Sequence, residues 1–102
     1  MQIIVQNPKA NVLNTLRQCG YSFERHHAQS AEASATRDLA VGGFPRFHCY
    51  AKYDENKNIV INLHLDQKRP SYSGARAHGG EYEGEVVQRE ADRIRSALGI
   101  SL

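Results

Sequence analysis

Histidine and aspartate side chains that fall on one side of an extended strand are the residues of this sequence best placed to do chemistry. In "NIVINLHLD", His64 and Asp66 are two residues apart, so their side chains project the same way from a strand. A second histidine, His48, lies in "RFHCYAKYD". Imidazoles titrate near neutral pH, so a pair of them suits cleavage of RNA without a metal. One accepts the proton of the ribose 2′-OH while the other, protonated, donates to the leaving oxygen. Asp66 can orient His64, and Lys68, Arg69 and Arg76, which follow in sequence, can neutralise a phosphate. His78 precedes two glycines, where a backbone can approach a ligand closely or simply turn. The candidate catalytic residues are therefore His48, His64 and Asp66, and the candidate RNA-binding residues are Lys68, Arg69, Arg76 and His78. No cofactor is expected. A metal site built on His48, His64, Asp66 or His78 stays open as an alternative, although His-x-Asp spacing is common and fixes no further ligand. Two histidines facing solvent across a hairpin also occur as ordinary sheet-surface residues.

The strands that must position these groups are legible from alternation. Phe47, Cys49, Ala51 and Tyr53 alternate with His48, Tyr50 and Lys52, and Ile59, Ile61, Leu63 and Leu65 alternate with Val60, Asn62, His64 and Asp66. "DENKN" between them has hairpin length and is polar. For the two apolar faces to coincide, Tyr53 must pair with Ile59, Ala51 with Ile61, Cys49 with Leu63 and Phe47 with Leu65. That register puts His48 opposite His64 and Tyr50 opposite Asn62.

Two helices flank the strands. In "NPKANVLNTLRQCGY", Asn7 suits the N-cap, Pro8 the first helical position and Gly20 the left-handed stop, with Val12, Leu13, Leu16 and Cys19 forming an apolar stripe. In "EVVQREADRIRSALG", Val87, Ala91, Ile94 and Leu98 share a face, Glu85 and Arg89 form an i,i+4 pair, and Gly99 ends the helix. "GYSFERHHA" begins as an alternating strand and decays into an Ala/Ser-rich stretch, 28–43, which shows no period and reads as a short helix capped by Ser30 or as an ordered loop. Ile3, Ile4 and Val5 read as a short extra strand or an N-terminal arm. The connection from Gln67 to about Gly84 is far longer than an ordinary loop, and such loops tend to be functional or disordered. Pro70, Tyr72 and Tyr82 argue for an ordered loop folded near His64 and Asp66.

A chain of 102 residues with 40% hydrophobic and 24% charged residues fits a single globular domain, 1–102, with a long inserted loop at about 67–84. No apolar run reaches the length of a membrane span, and "MQIIVQNPK" lacks the pattern of a signal peptide, so no membrane partner and a cytoplasmic location are expected. Cys19 and Cys49 sit among apolar neighbours and read as reduced core thiols. A net charge of +2 permits a nucleic-acid partner without implying one.

The order helix, strand, strand, strand, helix predicts an α+β fold. Its expected form is a three-stranded antiparallel sheet with two helices packed on one face (α-β-β-β-α), the architecture of double-stranded-RNA-binding domains. Three stretches resemble the HicA family of small mRNA-cleaving toxins. "LRQCGYSFER" resembles that family's helix ending in a glycine and an aromatic residue, "FHCYAKYDENKNIVINLH" its histidine-led hairpin, and "ADRIRSALGI" its closing helix. Together they cover less than half the chain. In HicA toxins a histidine at the beginning of the second strand, usually after Gly-Ser, is catalytic. His48 holds the matching position here, preceded by "FPRF", and the segments 28–43 and 67–84 are insertions relative to the family. The resemblance implies RNA as a partner and an antitoxin-like protein as another. The functional expectation is an RNA-directed protein of HicA-like fold acting as a metal-independent ribonuclease. The alternatives are a non-catalytic protein-interaction or nucleic-acid-binding domain, and a small metal-binding protein using His48, His64 and Asp66.

Overall fold

The structure is a computed structural model and describes residues 1–25, 32–67, 80–81 and 84–100. Along the chain the elements are β1 (Gln2–Val5), α1 (Val12–Gln18), β2 (Ser22–Arg25), β3 (Ala33–Asp38), β4 (Arg46–Tyr53), β5 (Ile59–Asp66), β6 (Gly80–Glu81) and α2 (Glu85–Ala97). Five antiparallel strands form the body of the sheet in the order β1-β5-β4-β3-β2, and the two-residue β6 pairs with the end of β5.

The expected three-stranded sheet with two helices packed on one face is therefore corrected. Five principal strands stand where three were predicted, and the helices do not sit together over one three-stranded face: α1 packs against β3 and β4, while α2 packs against β5. Two strands account for the difference. Ile3 and Val5 of β1 are buried while Gln2 and Ile4 are exposed, so the N-terminal segment is a true strand pairing with Ile61 and Ile59 of β5. In β3, Ala33 and Ala35 are buried and Ser34 is half-buried between them. Ala and Ser have low strand propensity, so this strand is held by neighbours on both sides and hides its alternation in residues too small to register as apolar. Their smallness also leaves room for α1 to approach.

The β4–β5 hairpin has the register predicted from alternation, with His48 opposite His64, Tyr50 opposite Asn62 and Tyr53 opposite Ile59. Its turn is built by Asp54, whose Oδ1 accepts hydrogen bonds from the backbone N–H groups of Asn56 (2.8 Å) and Asn58 (2.9 Å). Lys57 takes the left-handed conformation there, at φ 63°.

Helix α1 starts later than predicted. Its cap is Asn11, whose Oδ1 accepts the backbone N–H of Asn14 at 2.8 Å, satisfying one of the free amides of the first turn. Asn7 instead turns the chain at φ 50°, and its N–H reaches Asn58 Oδ1 at 3.3 Å. At the far end Gly20 is left-handed as predicted, at φ 87°. Val12, Leu16 and Cys19 from this segment, Val87, Ala91 and Ile94 from α2, and Ile3, Phe47, Cys49, Ile59, Ile61 and Leu63 from the sheet join in one buried cluster. Leu13 and Leu98 pack against its margin. The two cysteines are free and buried, and burial pushes the Cys19 thiol up to about 11 and that of Cys49 to about 12, so neither is a nucleophile at neutral pH.

Among the described residues, one carboxylate enters this core. Glu90 of α2 is 4% exposed and accepts hydrogen bonds from Tyr21 Oη (2.5 Å) and from Arg93 Nε and Nη2 (2.6 and 2.8 Å), with Arg37 Nε at 3.8 Å. Arg93 is tied down further by donating to the Cys19 carbonyl at 2.6 Å. A buried carboxylate is stable only when its lone pairs are filled this way.

Candidate acid–base site

On the sheet face away from this core, the side chains of three strands form rows. Thr36, His48 and His64 are successive partners across β3, β4 and β5, and Asp38, Arg46 and Asp66 form the next row. Residues two apart on β5 share a face, so Asp66 lies beside both imidazoles. Its Oδ1 is 2.9 Å from His64 Nε2, and its Oδ2 is 3.2 Å from His48 Nδ1 and 3.3 Å from Arg46 Nε. The two imidazole centroids are 4.9 Å apart, and the Tyr50 ring stacks at 4.4 Å from His48 and 5.6 Å from His64. Arg46 in turn lies over the Phe44 ring at 4.6 Å.

The structure thus brings together His48, His64 and Asp66, as the spacing predicts, but not on an open surface. His48 and His64 are each 7% exposed, so the expectation of a solvated histidine pair is corrected. Burial pushes the His64 imidazole below its ordinary value of 6.5, with the proximity of His48 adding to the effect and the Asp66 carboxylate pulling against it. Burial therefore favours the neutral form of His64. A carboxylate only accepts hydrogen bonds, so each ring nitrogen facing Asp66 carries its proton. His48 in its neutral form is then the Nδ1–H tautomer, with its lone pair on Nε2.

Two members of the cluster escaped the sequence reading. Arg46 was within reach, since the register that pairs His48 with His64 pairs Arg46 with Asp66 when extended by one more step of two. Ser34, whose Oγ is 2.6 Å from His48 Nε2, had no such signal because it lies in the segment that shows no period. Lys68, Arg69, Arg76 and His78 lie outside the described residues. Of the expected ordered loop at 67–84, residues 68–79 and 82–83 lie outside the described residues, and Gly80 and Glu81 pair with Asp66 and Leu65.

His48, His64 and Asp66 offer donor atoms within 4.8 Å of one another. Ligands about 2.0–2.1 Å from a tetrahedral ion lie roughly 3.3 Å apart, so the Asp66 to histidine distances suit a cation. Against a resident cation stand the Arg46 guanidinium, which already balances Asp66, and the two N–H protons that an ion would have to displace. The arrangement needs no metal to be electrostatically complete. Among the described residues, no helix is long and apolar enough to cross a membrane. No family model, curated protein or solved structure matches the chain.

Proposed function

We propose that His48, His64 and Asp66 form a metal-independent acid–base centre that cleaves RNA. The observation that carries this reading is the shared carboxylate: Asp66 holds two adjacent imidazoles at 2.9 and 3.2 Å and so fixes the tautomer of both. His48 offers its Nε2 lone pair to a hydroxyl, the task of a general base, and the fraction of His64 that carries a second proton, which grows as the pH falls, donates it to the leaving oxygen, the task of a general acid. In the reaction a ribose 2′-oxygen attacks phosphorus as His48 takes its proton. The bond to the 5′-oxygen breaks as that oxygen takes a proton from protonated His64, leaving a cyclic phosphate, a free 5′-hydroxyl and a neutral His64. Asp66 touches no reacting atom and acts as a positioning residue.

RNA is favoured over other phosphodiesters by the basic residues that follow Asp66 in sequence, Lys68, Arg69 and Arg76, and by the resemblance of the histidine-led hairpin to HicA toxins. That support rests on the hairpin and not on the sheet, whose strand number differs. The test is incubation of the purified chain with RNA in the presence of a chelator. Cyclic phosphate termini that disappear in His48→Ala and His64→Ala variants, and with an all-2′-deoxy substrate, support the reading. Cleavage that needs an added divalent cation would move the assignment to a metal centre, and binding without cleavage to a nucleic-acid-binding domain.

A further inference from the structure

Among the described residues, Ser34 is the hydroxyl hydrogen-bonded to His48. It lies on β3 opposite Tyr50, and its Oγ is 2.6 Å from His48 Nε2. The direction of that hydrogen bond follows from the other side of the ring. Asp66 accepts from His48 Nδ1 at 3.2 Å, so the proton of the neutral imidazole is on Nδ1 and Nε2 has the lone pair. In that form the Ser34 hydroxyl is the donor. A serine hydroxyl donating to an imidazole whose far nitrogen donates to a carboxylate is the arrangement that activates a serine for attack.

Two further observations set this serine apart. Ser34 is half-buried while His48 is 7% exposed, so the serine is more open to solvent than the imidazole it bonds. Directly across from Ser34, β2 slips register between Phe23 and Arg25. Such bulges bend a strand and are frequent beside active sites, where they re-aim a side chain or end a pairing.

We propose that Ser34 is a nucleophile, activated by His48 and oriented through Asp66, toward phosphoesters, the class of electrophile taken over from the function proposed above for this site. Ser34 Oγ attacks phosphorus and forms an O–P bond while its proton passes to His48 Nε2. The bond from phosphorus to the departing alkoxide breaks, and that oxygen takes the proton from His48. Water then attacks the seryl phosphoester, giving a proton to His48, which returns it to Ser34 Oγ as the O–P bond breaks. The sum is hydrolysis, with no 2′-hydroxyl and no metal required. The inference rests on His48 as a base, as in the reading above, but not on RNA as the substrate.

The probe is a fluorophosphonate, which captures an activated serine by losing fluoride, applied to the full chain with the modified residue read by peptide mass spectrometry. The expected result is an adduct on Ser34 that forms at least about a hundredfold faster than at the exposed Ser22 and Ser96, and that slows by about a hundredfold or more in Asp66→Asn. Ser34→Ala, a small change beside Ala33 and Ala35, keeps the fold by circular dichroism and loses the adduct. Equal labelling of the three serines, or labelling of Ser34 that is indifferent to Asp66→Asn in a folded variant, overturns the inference. The two readings separate cleanly: an adduct on Ser34 without RNA cleavage leaves this inference standing alone, and RNA cleavage undiminished in Ser34→Ala without an adduct leaves only the other.

Discussion

Two carboxylates in this molecule are each surrounded by hydrogen-bond donors, and the kinds of donor differ. Glu90, in the core, is held by Arg93, Arg37 and the Tyr21 hydroxyl. The hydrogen bond to Glu90 pushes Arg93 further up, and burial pushes Tyr21 up, so these donors keep their protons across the whole neutral range. Asp66, on the other side of the sheet, is held by two imidazoles and only one guanidinium. Imidazoles change charge near neutrality and present a second nitrogen to whatever lies beyond. The first arrangement fixes a charge in place, and the second can pass a proton onward. That contrast separates an element of the fold from a candidate site more sharply than burial does, since Glu90 and the two histidines are all below 9% exposed.

The largest effect expected from breaking this contrast is at Glu90. Glu90→Ala removes the acceptor of the buried Tyr21 hydroxyl and the charge partner of Arg93, whose side chain is 38% exposed and keeps its bond to the Cys19 carbonyl, so the cost is about 2–3 kcal/mol. Asp66→Asn keeps an acceptor for one imidazole at a site that is 20% exposed, and should cost about 1 kcal/mol. Urea melts of the two variants measure both. Comparable losses would erase the distinction between a structural and a functional carboxylate.

Activity should single out the cluster around Asp66. In the chelator-treated cleavage assay, His48→Ala and Asp66→Asn should lower turnover by about a hundredfold or more. Arg89→Ala, at an exposed pair with Glu85 on α2, should leave it unchanged. A metal reading of the Asp66 cluster predicts something else: zinc at a hundred times its dissociation constant would stabilise the fold by about 2.7 kcal/mol. With Arg46 already balancing Asp66, the expected outcome is a melting temperature that zinc does not raise, and a rise abolished by His64→Ala would reverse the assignment.

The part of the site that was legible in the sequence is the part made by one hairpin. Strict alternation in 47–53 and 59–65 fixes both face and register, and with them the pairing of His48 with His64. What alternation cannot carry is which strand lies on the hairpin's other side. Ser34 reaches His48 only because β3 pairs with β4, and β3 spells its buried positions with Ala33 and Ala35, which no apolar pattern distinguishes from a loop. The same blind spot hid the size of the sheet and led to the three-stranded prediction. Burial of the histidines was invisible for another reason: alternation assigns a side chain to a face of the sheet and says nothing of how closely neighbours such as Tyr50, Asp66 and Ser34 pack around it.

The smallest expected effect is also the one that tests the contrast without a substrate. Burial holds the folded His64 imidazole below the ordinary value of 6.5 that it regains on unfolding. Above that value the ring is neutral in both states and its contribution to stability is complete. As the pH falls below it, the unfolded chain binds the proton first, so stability is lost until the pH has passed the lower folded value. Because Asp66 pulls the opposite way, the loss is modest. Melting temperatures measured between pH 8 and pH 5 should therefore decline for the wild-type chain, and less for His64→Asn, which removes the titrating ring. Glu90→Gln leaves that ring in place and should run parallel to the wild type, only lower. A His64→Asn curve with the full wild-type slope would mean that the imidazoles around Asp66 keep their charge state as firmly as the donors around Glu90, and the proton-passing role would have no physical basis.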